Sequence, residues 1–218
     1  IPTVPELAAL VPTSANDSIH RPELQQLTAK AFALMGKSRD PLHDHTHIVR
    51  TIRFASLLYK RAIREHRTLD WGIIVAALAW HDVYRVKNLG FLYNKNTPLR
   101  SALRRFPLCI DITIYLVFKK DSIGSAISFL KQSKGRILKH LRRKIAIAIL
   151  GEHSLDAFQE HIYPGISLYK NIVFSGDTLD LASIGRLHAG WRAVREKGCM
   201  DMRWYNRLLI LNILFCLP

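Results

Sequence analysis

Residues 73–79 read IIVAALA, seven side chains without a polar group, and after Trp80 they run directly into the adjacent pair His81–Asp82. A helix made of such a run has no solvent face, so it is expected to be buried on all sides. A carboxylate and an imidazole at the end of a buried helix are costly unless something pairs with them. A bound metal ion is the commonest large compensation, and Asp plus His suits a divalent ion with oxygen and nitrogen ligands. Other segments are therefore expected to bring further ligands to this pair.

The flanking sequence reads as helices. Pro22 suits the first turn of a helix ending near Met35, before Gly36. Asp40–Pro41 reads as the N-cap and first turn of a helix through LHDHTHIVRTIRFASLLYKRAIREH, with Ile48, Ile52, Ala55, Leu58 and Tyr59 at helical spacing. Asp70 is placed to cap the buried helix. Thr97–Pro98 restarts a helix, and residues 112–118, ITIYLVF, fit a helix better than a strand. Gly124, Ser133 and Gly135 are expected to separate two more helices, the second from about Arg136 to Glu152 with a stripe of Leu138, Leu141, Ile145 and Ile149. After Pro164–Gly165 a helix from about Ile166 carries SLYKNIVFSGDTLDLASIGRL. No long stretch alternates strictly, so the fold class is all-α. Residues 1–20 read as an N-terminal arm and 21–218 as a single helical domain, with an irregular helical insertion at about 88–135 and a last helix at about 203–217.

The 218 residues are 49% hydrophobic, enough for one domain with a sizeable core. Three widely spaced cysteines, Cys109, Cys199 and Cys216, form no C-x-x-C pair. That argues against a disulfide framework or a thiolate zinc site and fits a reducing cytoplasm. The N-terminal stretch shows no signal peptide, and the apolar tail Leu208–Leu217 is too short to span a bilayer. The net charge of +15 makes a surface drawn to anions. The basic segment Lys131, Lys134, Arg136, Lys139, Arg142, Arg143, Lys144 reads either as a solvated face or as a surface for nucleic acid or anionic lipid. Arg100, Arg104 and Arg105 form a shorter cluster that could line a site entrance.

His43, His45 and His47 lie two apart; on a helix His43 and His47 share a face and His45 points away. Asp177 lies one turn from both Val173 and Leu181, so it sits on or near an apolar face, and Gly176 beside it leaves room for an ion. The plainer reading of Asp177 is a helix N-cap. Asp180 reads as a solvated or salt-bridged surface residue.

His47, His81–Asp82 and Asp177, in that order on helices, resemble the H…HD…D pattern of the HD-domain metal-dependent phosphohydrolases. His43-Asp44-x-x-His47-x-x-Arg50 is similar to that family's opening H-D-x-x-H-x-x-R. AALAWHDV resembles its apolar run before the HD pair, ILGEHS at 149–154 its histidine-serine step, and IVFSGDTLDLASIGRL its last aspartate segment. Together these cover roughly residues 40–190. Ser175, Gly176 and Arg85 depart from the family pattern: Ser175 replaces the first aspartate of its DAD segment, Gly176 the alanine, and Arg85 an acidic residue common after the HD pair.

The resemblance implies an HD-type helical bundle. It implies one divalent ion (Mn, Mg, Co, Ni, Fe or Zn) held by His47, His81, Asp82 and Asp177, with a second metal as a candidate. It implies hydrolysis of a phosphate ester or phosphoanhydride of a small substrate, with nucleotides foremost, by water activated at the ion. Asp82 is the candidate for orienting that water or taking its proton, and Asp44 for accepting a bond from a ligand histidine. Arg50, Arg85 and Lys87 are candidates for binding phosphate, with Arg50 and His153 also read as catalytic. His153 would face substrate, support a metal ligand or bind a second metal, whereas His140 in a basic run and His161 in a loop are poorer second-metal ligands. Two alternatives stand beside this reading: a degenerate HD domain that binds an anionic ligand or nucleic acid without turnover, and a two-metal HD oxygenase using His153 and another histidine.

Overall fold

The computed structural model describes residues 3–38, 43–65, 68–88, 121–151 and 156–181, together with 183, 185, 188, 189 and 191. Among these residues the fold is all-helical, without a strand. In chain order come α1 (Val4–Ala8), a 3-10 turn (Ser18–His20), α2 (Pro22–Met35), α3 (His45–Arg64), α4 (Trp71–Trp80) and α5 (Arg85–Asn88). They are followed by helical residues 121–132 (α6), then α7 (Lys139–Leu150), α8 (Asp156–Ile162) and α9 (Ile166–Leu181). No described helix is long and apolar enough to cross a membrane. Expected helices at 98–106, 112–118 and 203–217, the Asp40–Pro41 cap and the Arg100, Arg104, Arg105 cluster lie outside the described residues.

Helix α4 is the axis of the bundle. All ten of its residues are buried, as the unbroken apolar run requires. Helices α2, α3, α7 and α9 and the 3-10 turn pack around it, and α9 also lies along α3. The buried N-terminus of α4 would leave backbone N–H groups unpaired, and two carboxylates take them. Asp70 accepts from Gly72 N at 3.0 Å, as its capping position predicts. Asp17 accepts from Trp71 N at 2.8 Å and Gly72 N at 3.0 Å.

Asp17 belongs to the stretch expected to be an arm. That stretch is instead packed: Val4, Leu7, Val11 and Ile19 are in the core, and Trp71 Nε1 donates to Leu7 O at 3.0 Å. Sparse apolar residues among Pro, Ser and Asn hid this, because their partner is the long-range surface of α4. Gly72 is what lets the turn come so close, since a Cβ there would collide with Ser18 Oγ and Ile19 N.

Further expectations are corrected. Helix α3 begins at His45, where Asp44 accepts from Thr46 N at 2.9 Å and His47 N at 3.1 Å. Asp44 therefore caps the helix through the His47 backbone, whereas it was expected to accept from a ligand imidazole. Gly124 lies inside α6 and separates nothing: its missing side chain makes room for the Tyr84 ring, which occupies the place a Cβ would take. Helix α7 is shorter than expected and ends at Gly151, whose φ of +62° is the left-handed turn that glycine adopts without strain. Leu141, Ile145 and Ile149 of its stripe are buried, and Leu138, which precedes the helix, is exposed.

Two predictions follow from the α4 N-terminus. Gly72→Ala should lower stability by about 2–3 kcal/mol through overpacking against backbone, measured by urea unfolding. Burial and the neighbouring Asp17 carboxylate, opposed by bonds from Ser18, push the Asp70 carboxyl up to about 6. A carboxyl raised on folding stabilises the fold at low pH and loses that contribution as pH rises through its folded value. Asp70→Asn, which keeps the cap, should therefore melt above wild type at neutral pH, with the difference closing as pH falls below about 6.

Candidate metal centre

Helix α4 delivers the HD pair by ending on it. His81 is the C-cap, and its Nδ1 lies 2.6 Å from Leu78 O, one of the carbonyls left without an intrahelical partner. A carbonyl only accepts, so Nδ1 carries the proton and the lone pair of a neutral His81 ring is on Nε2. The bond that finishes the helix also aims the ligand atom.

Helix α3 contributes His47, which is completely buried. Its Nδ1 lies 2.7 Å from Asp180 Oδ2 on α9. Donors crowd Asp180: burial raises its carboxyl, and bonds from His47 and Arg50 overcome that and hold it far below the carboxylate range. Asp180 is thus ionised and accepts the Nδ1 proton, which leaves Nε2 of a neutral His47 as a bare acceptor as well.

The two bare nitrogens face each other at 3.3 Å. Asp177 Oδ1 lies 3.2 Å from His47 Nε2 and 3.6 Å from His81 Nε2. Asp82 Oδ2 lies 3.4 Å from His47 Nε2 and 3.3 Å from His81 Nε2. Ligands about 2.0–2.2 Å from one ion, at tetrahedral to octahedral angles, are about 2.8–3.6 Å apart. His47, His81 and Asp177 form a group that could hold a metal ion, and Asp82 reaches both imidazoles at the same range. Acceptors gathered this closely repel one another unless a cation or a proton sits between them.

Without an ion, protons take that role. Burial disfavours the His81 imidazolium, but the Asp82 and Asp177 carboxylates outweigh it and hold its pKa well above the usual histidine range. Burial also acts against both carboxylates. Asp82 is nevertheless held well below its usual range by Arg85 and His81, and Asp177 by bonds from His47 and His81.

Helix α9 places Asp177 and Asp180 one turn apart on the face turned to α3. Asp177 lies mid-helix, so the N-cap reading does not apply. Gly176 is buried against α3, where a Cβ would stand 3.1 Å from Thr51 O and 3.2 Å from Ala55 Cβ. Its small size brings the two helices together, which corrects the expectation that it leaves room for an ion. Asp177 is the most open of the four residues, with 39% of its side chain exposed against 10% or less for the others.

The remaining candidate residues fall as follows. Arg50 Nε and Nη2 donate to Asp180 at 2.6 Å and 3.2 Å, and Nη1 to Thr46 Oγ1 at 3.1 Å. Arg85 is buried, with Nε 3.2 Å from Asp121 Oδ2 on α6 and Nη1 3.6 Å from Asp82 Oδ1. Lys87 is on α5 without a described side chain, and His153 lies outside the described residues. His43 precedes α3, yet its buried ring meets His47 edge-on at a centroid distance of 5.5 Å. His140 is exposed, and His161 is in the last turn of α8 and not in a loop.

Two residues of this arrangement were not anticipated. Asp180, read as a solvated or salt-bridged surface residue, is salt-bridged to Arg50 but fully buried. The spacing carried a signal for it: Arg50 follows His47 by three residues, as Asp180 follows Asp177. Asp121 has no local signal, because its partner is 36 residues away on another helix.

Comparison of the chain with protein-family models, with curated proteins and with solved structures finds no match.

The geometry predicts proton-coupled metal binding. Titration with a divalent ion should release protons and weaken as pH falls, because the ion displaces the proton that His81 holds above its usual range. Saturation at about 100 times Kd should raise stability by about 2.7 kcal/mol, an increment lost in His81→Ala and Asp177→Asn.

Proposed function

We propose that this chain is an HD-type metal-dependent phosphohydrolase acting on a small phosphorylated substrate, with nucleotides the leading class. The observation that carries the reading is the meeting of His47 Nε2 and His81 Nε2 with Asp82 and Asp177 oxygens within 3.2–3.6 Å, with each histidine's other nitrogen already committed to a bond. The resemblance of HDHTHIVR, AALAWHDV and IVFSGDTLDLASIGRL to the HD family supports the same assignment.

The charge count supports one divalent ion. Among the described side chains, the carboxylates of Asp82, Asp121, Asp177 and Asp180 are faced by the guanidiniums of Arg50 and Arg85. Over those six side chains the sum is two negative charges, the charge that a single divalent cation would cancel.

A bound divalent ion would supply Lewis acidity toward a phosphoryl oxygen and an acidified water. The chain's own contribution is to hold four ligands in one geometry, exclude bulk solvent on the α4 side and leave the Asp177 edge open for substrate. Asp82 is the candidate for orienting the attacking water. Arg85 lies beside its Oδ1 and lowers its basicity, so orientation suits Asp82 better than proton removal.

A second reading, an anion-binding module without turnover, is favoured by the exposed Lys131, Lys134, Arg136, Lys139 and Arg143 around the turn between α6 and α7. One experiment separates the two. The metal-loaded protein is screened for phosphate and pyrophosphate release from nucleotides. The hydrolase reading expects turnover that drops by about a thousandfold or more in His81→Ala and Asp82→Ala. Turnover that persists at the wild-type rate in both variants overturns it, and salt-sensitive nucleic-acid binding without hydrolysis favours the module.

A further inference from the structure

We propose that Asp180 is a positioning residue for the ligand His47, and that Arg50, Thr46 and Ser183 serve to hold Asp180 in that role; the inference rests on the metal-centre reading above. Asp180 is fully buried and lies 133 residues from His47 in the chain. Its Oδ2 receives His47 Nδ1 at 2.7 Å and Arg50 Nη2 at 3.2 Å. Its Oδ1 receives Arg50 Nε at 2.6 Å and Ser183 Oγ at 2.8 Å. Four donors match the acceptor capacity of one carboxylate. A carboxylate buried and saturated in this way is built to stay ionised and to stay still.

The network admits one arrangement of protons. Arginine only donates, and an ionised carboxylate only accepts. Arg50 Nη1 donates to Thr46 Oγ1 at 3.1 Å, and that hydroxyl donates onward to Asp44 Oδ1 at 2.6 Å. Asp44 in turn caps the helix that carries His47. The chain of bonds ends at His47 Nδ1, which must donate, so Nε2 presents its lone pair toward His81, Asp82 and Asp177. Backbone geometry supports the same device: at Gly185 a Cβ would stand 2.9 Å from Arg50 Cδ and 3.3 Å from its Nε. The bare glycine leaves Arg50 a path to Asp180. Arg50, one of the cations nominated for phosphate, is thereby assigned to the support of a ligand.

Outer partners of metal-bound histidines are typically worth 10–100-fold in metal affinity. The test uses Mn²⁺ alone as the probe, with affinity measured by titration, and reads the His47 tautomer in metal-free protein from long-range ¹H–¹⁵N spectra. Wild type is expected to show the Nδ1–H form. Asp180→Asn, whose amide nitrogen can face Nδ1, should shift His47 toward the Nε2–H form and weaken Mn²⁺ by about 10–100-fold. Arg50→Lys keeps the charge and loses the fork, so Mn²⁺ should weaken by a smaller factor with the tautomer kept. Gly185→Ala, which alters no polar group, should weaken Mn²⁺ in the same direction and serves if Asp180→Asn does not fold.

An Asp180→Asn protein with Mn²⁺ affinity within about twofold of wild type and an unchanged tautomer overturns the proposal. So does Arg50→Lys that raises KM for substrate while leaving Mn²⁺ affinity intact, because Arg50 would then face substrate. If wild type binds no divalent ion, the metal reading fails on its own, and the tautomer of Asp180→Asn still decides whether Asp180 positions His47.

Discussion

Four polar groups held together at the end of a helix without a solvent face set the terms for the rest of the molecule. An imidazole or a carboxylate at the surface can turn to water; at the buried end of α4 it cannot. Three neighbouring helices accordingly bring polar answers to that end. Helix α3 brings His47 and Arg50, α9 brings Asp177 and Asp180, and α6 brings Asp121 to Arg85. The opposite end of α4 poses a smaller problem of the same kind and is answered by Asp17 and Asp70. The bundle is apolar along its axis and polar at its two poles, and the two poles differ in kind. At the N-terminal pole carboxylates meet backbone donors, and what remains is burial and the Asp17–Asp70 repulsion that raise the Asp70 carboxyl. At the C-terminal pole acceptors meet acceptors, and the account closes only with a cation or protons.

How much of this was legible in the sequence depends on how local each cause is. The buried helix was readable because seven consecutive apolar residues permit no other placement, and Asp70 because a cap acts two residues away. Asp177 was readable from its spacing to Val173 and Leu181. Asp180 was misread because one carboxylate near another looks like surface, and only the facing helix supplies its partners. The start of α3 was misplaced because Asp40–Pro41 and Asp44 are both good starts by local chemistry. Asp44 caps because its carboxylate reaches the N–H groups of Thr46 and His47. Asp17 and Asp121 belong to a third class: each acts on a residue tens of positions distant, and no pattern in the surrounding sequence marks it.

Glycine illustrates the same division. Gly151 ends α7 by a local event, a left-handed turn, although the helix was expected to run on to about Glu152. Gly72, Gly124 and Gly176 occupy helices, where local propensity argues against them. Each is explained by what approaches it: the 3-10 turn at Gly72, the Tyr84 ring at Gly124 and the α3 backbone at Gly176. Two of the three lie near the candidate centre, Gly124 behind Tyr84, two residues after Asp82, and Gly176 beside Asp177. At Gly176 the helix that carries Asp177 and the helix that carries His47 approach each other backbone to backbone.

The charge of the chain and the charge of the centre have opposite signs, and the contrast bears on how a phosphate could reach it. The whole sequence carries +15, so an anion is attracted from a distance, within the roughly 8–10 Å over which salt leaves charges visible to each other. Close in, Asp82 and Asp177 dominate, and the guanidiniums of Arg50 and Arg85 each already face a carboxylate. One repulsive unit pair at 4 Å is worth about 4 kcal/mol at the effective dielectric of a protein surface. A phosphate brought to the ion-free group would meet that penalty at Asp82 and at Asp177, offset in part by the proton that His81 holds. With two positive charges added among the same four ligands, the penalty is removed. On the proposed phosphohydrolase reading the order would be cation first and phosphate second, for reasons of charge that do not depend on what the phosphate is attached to.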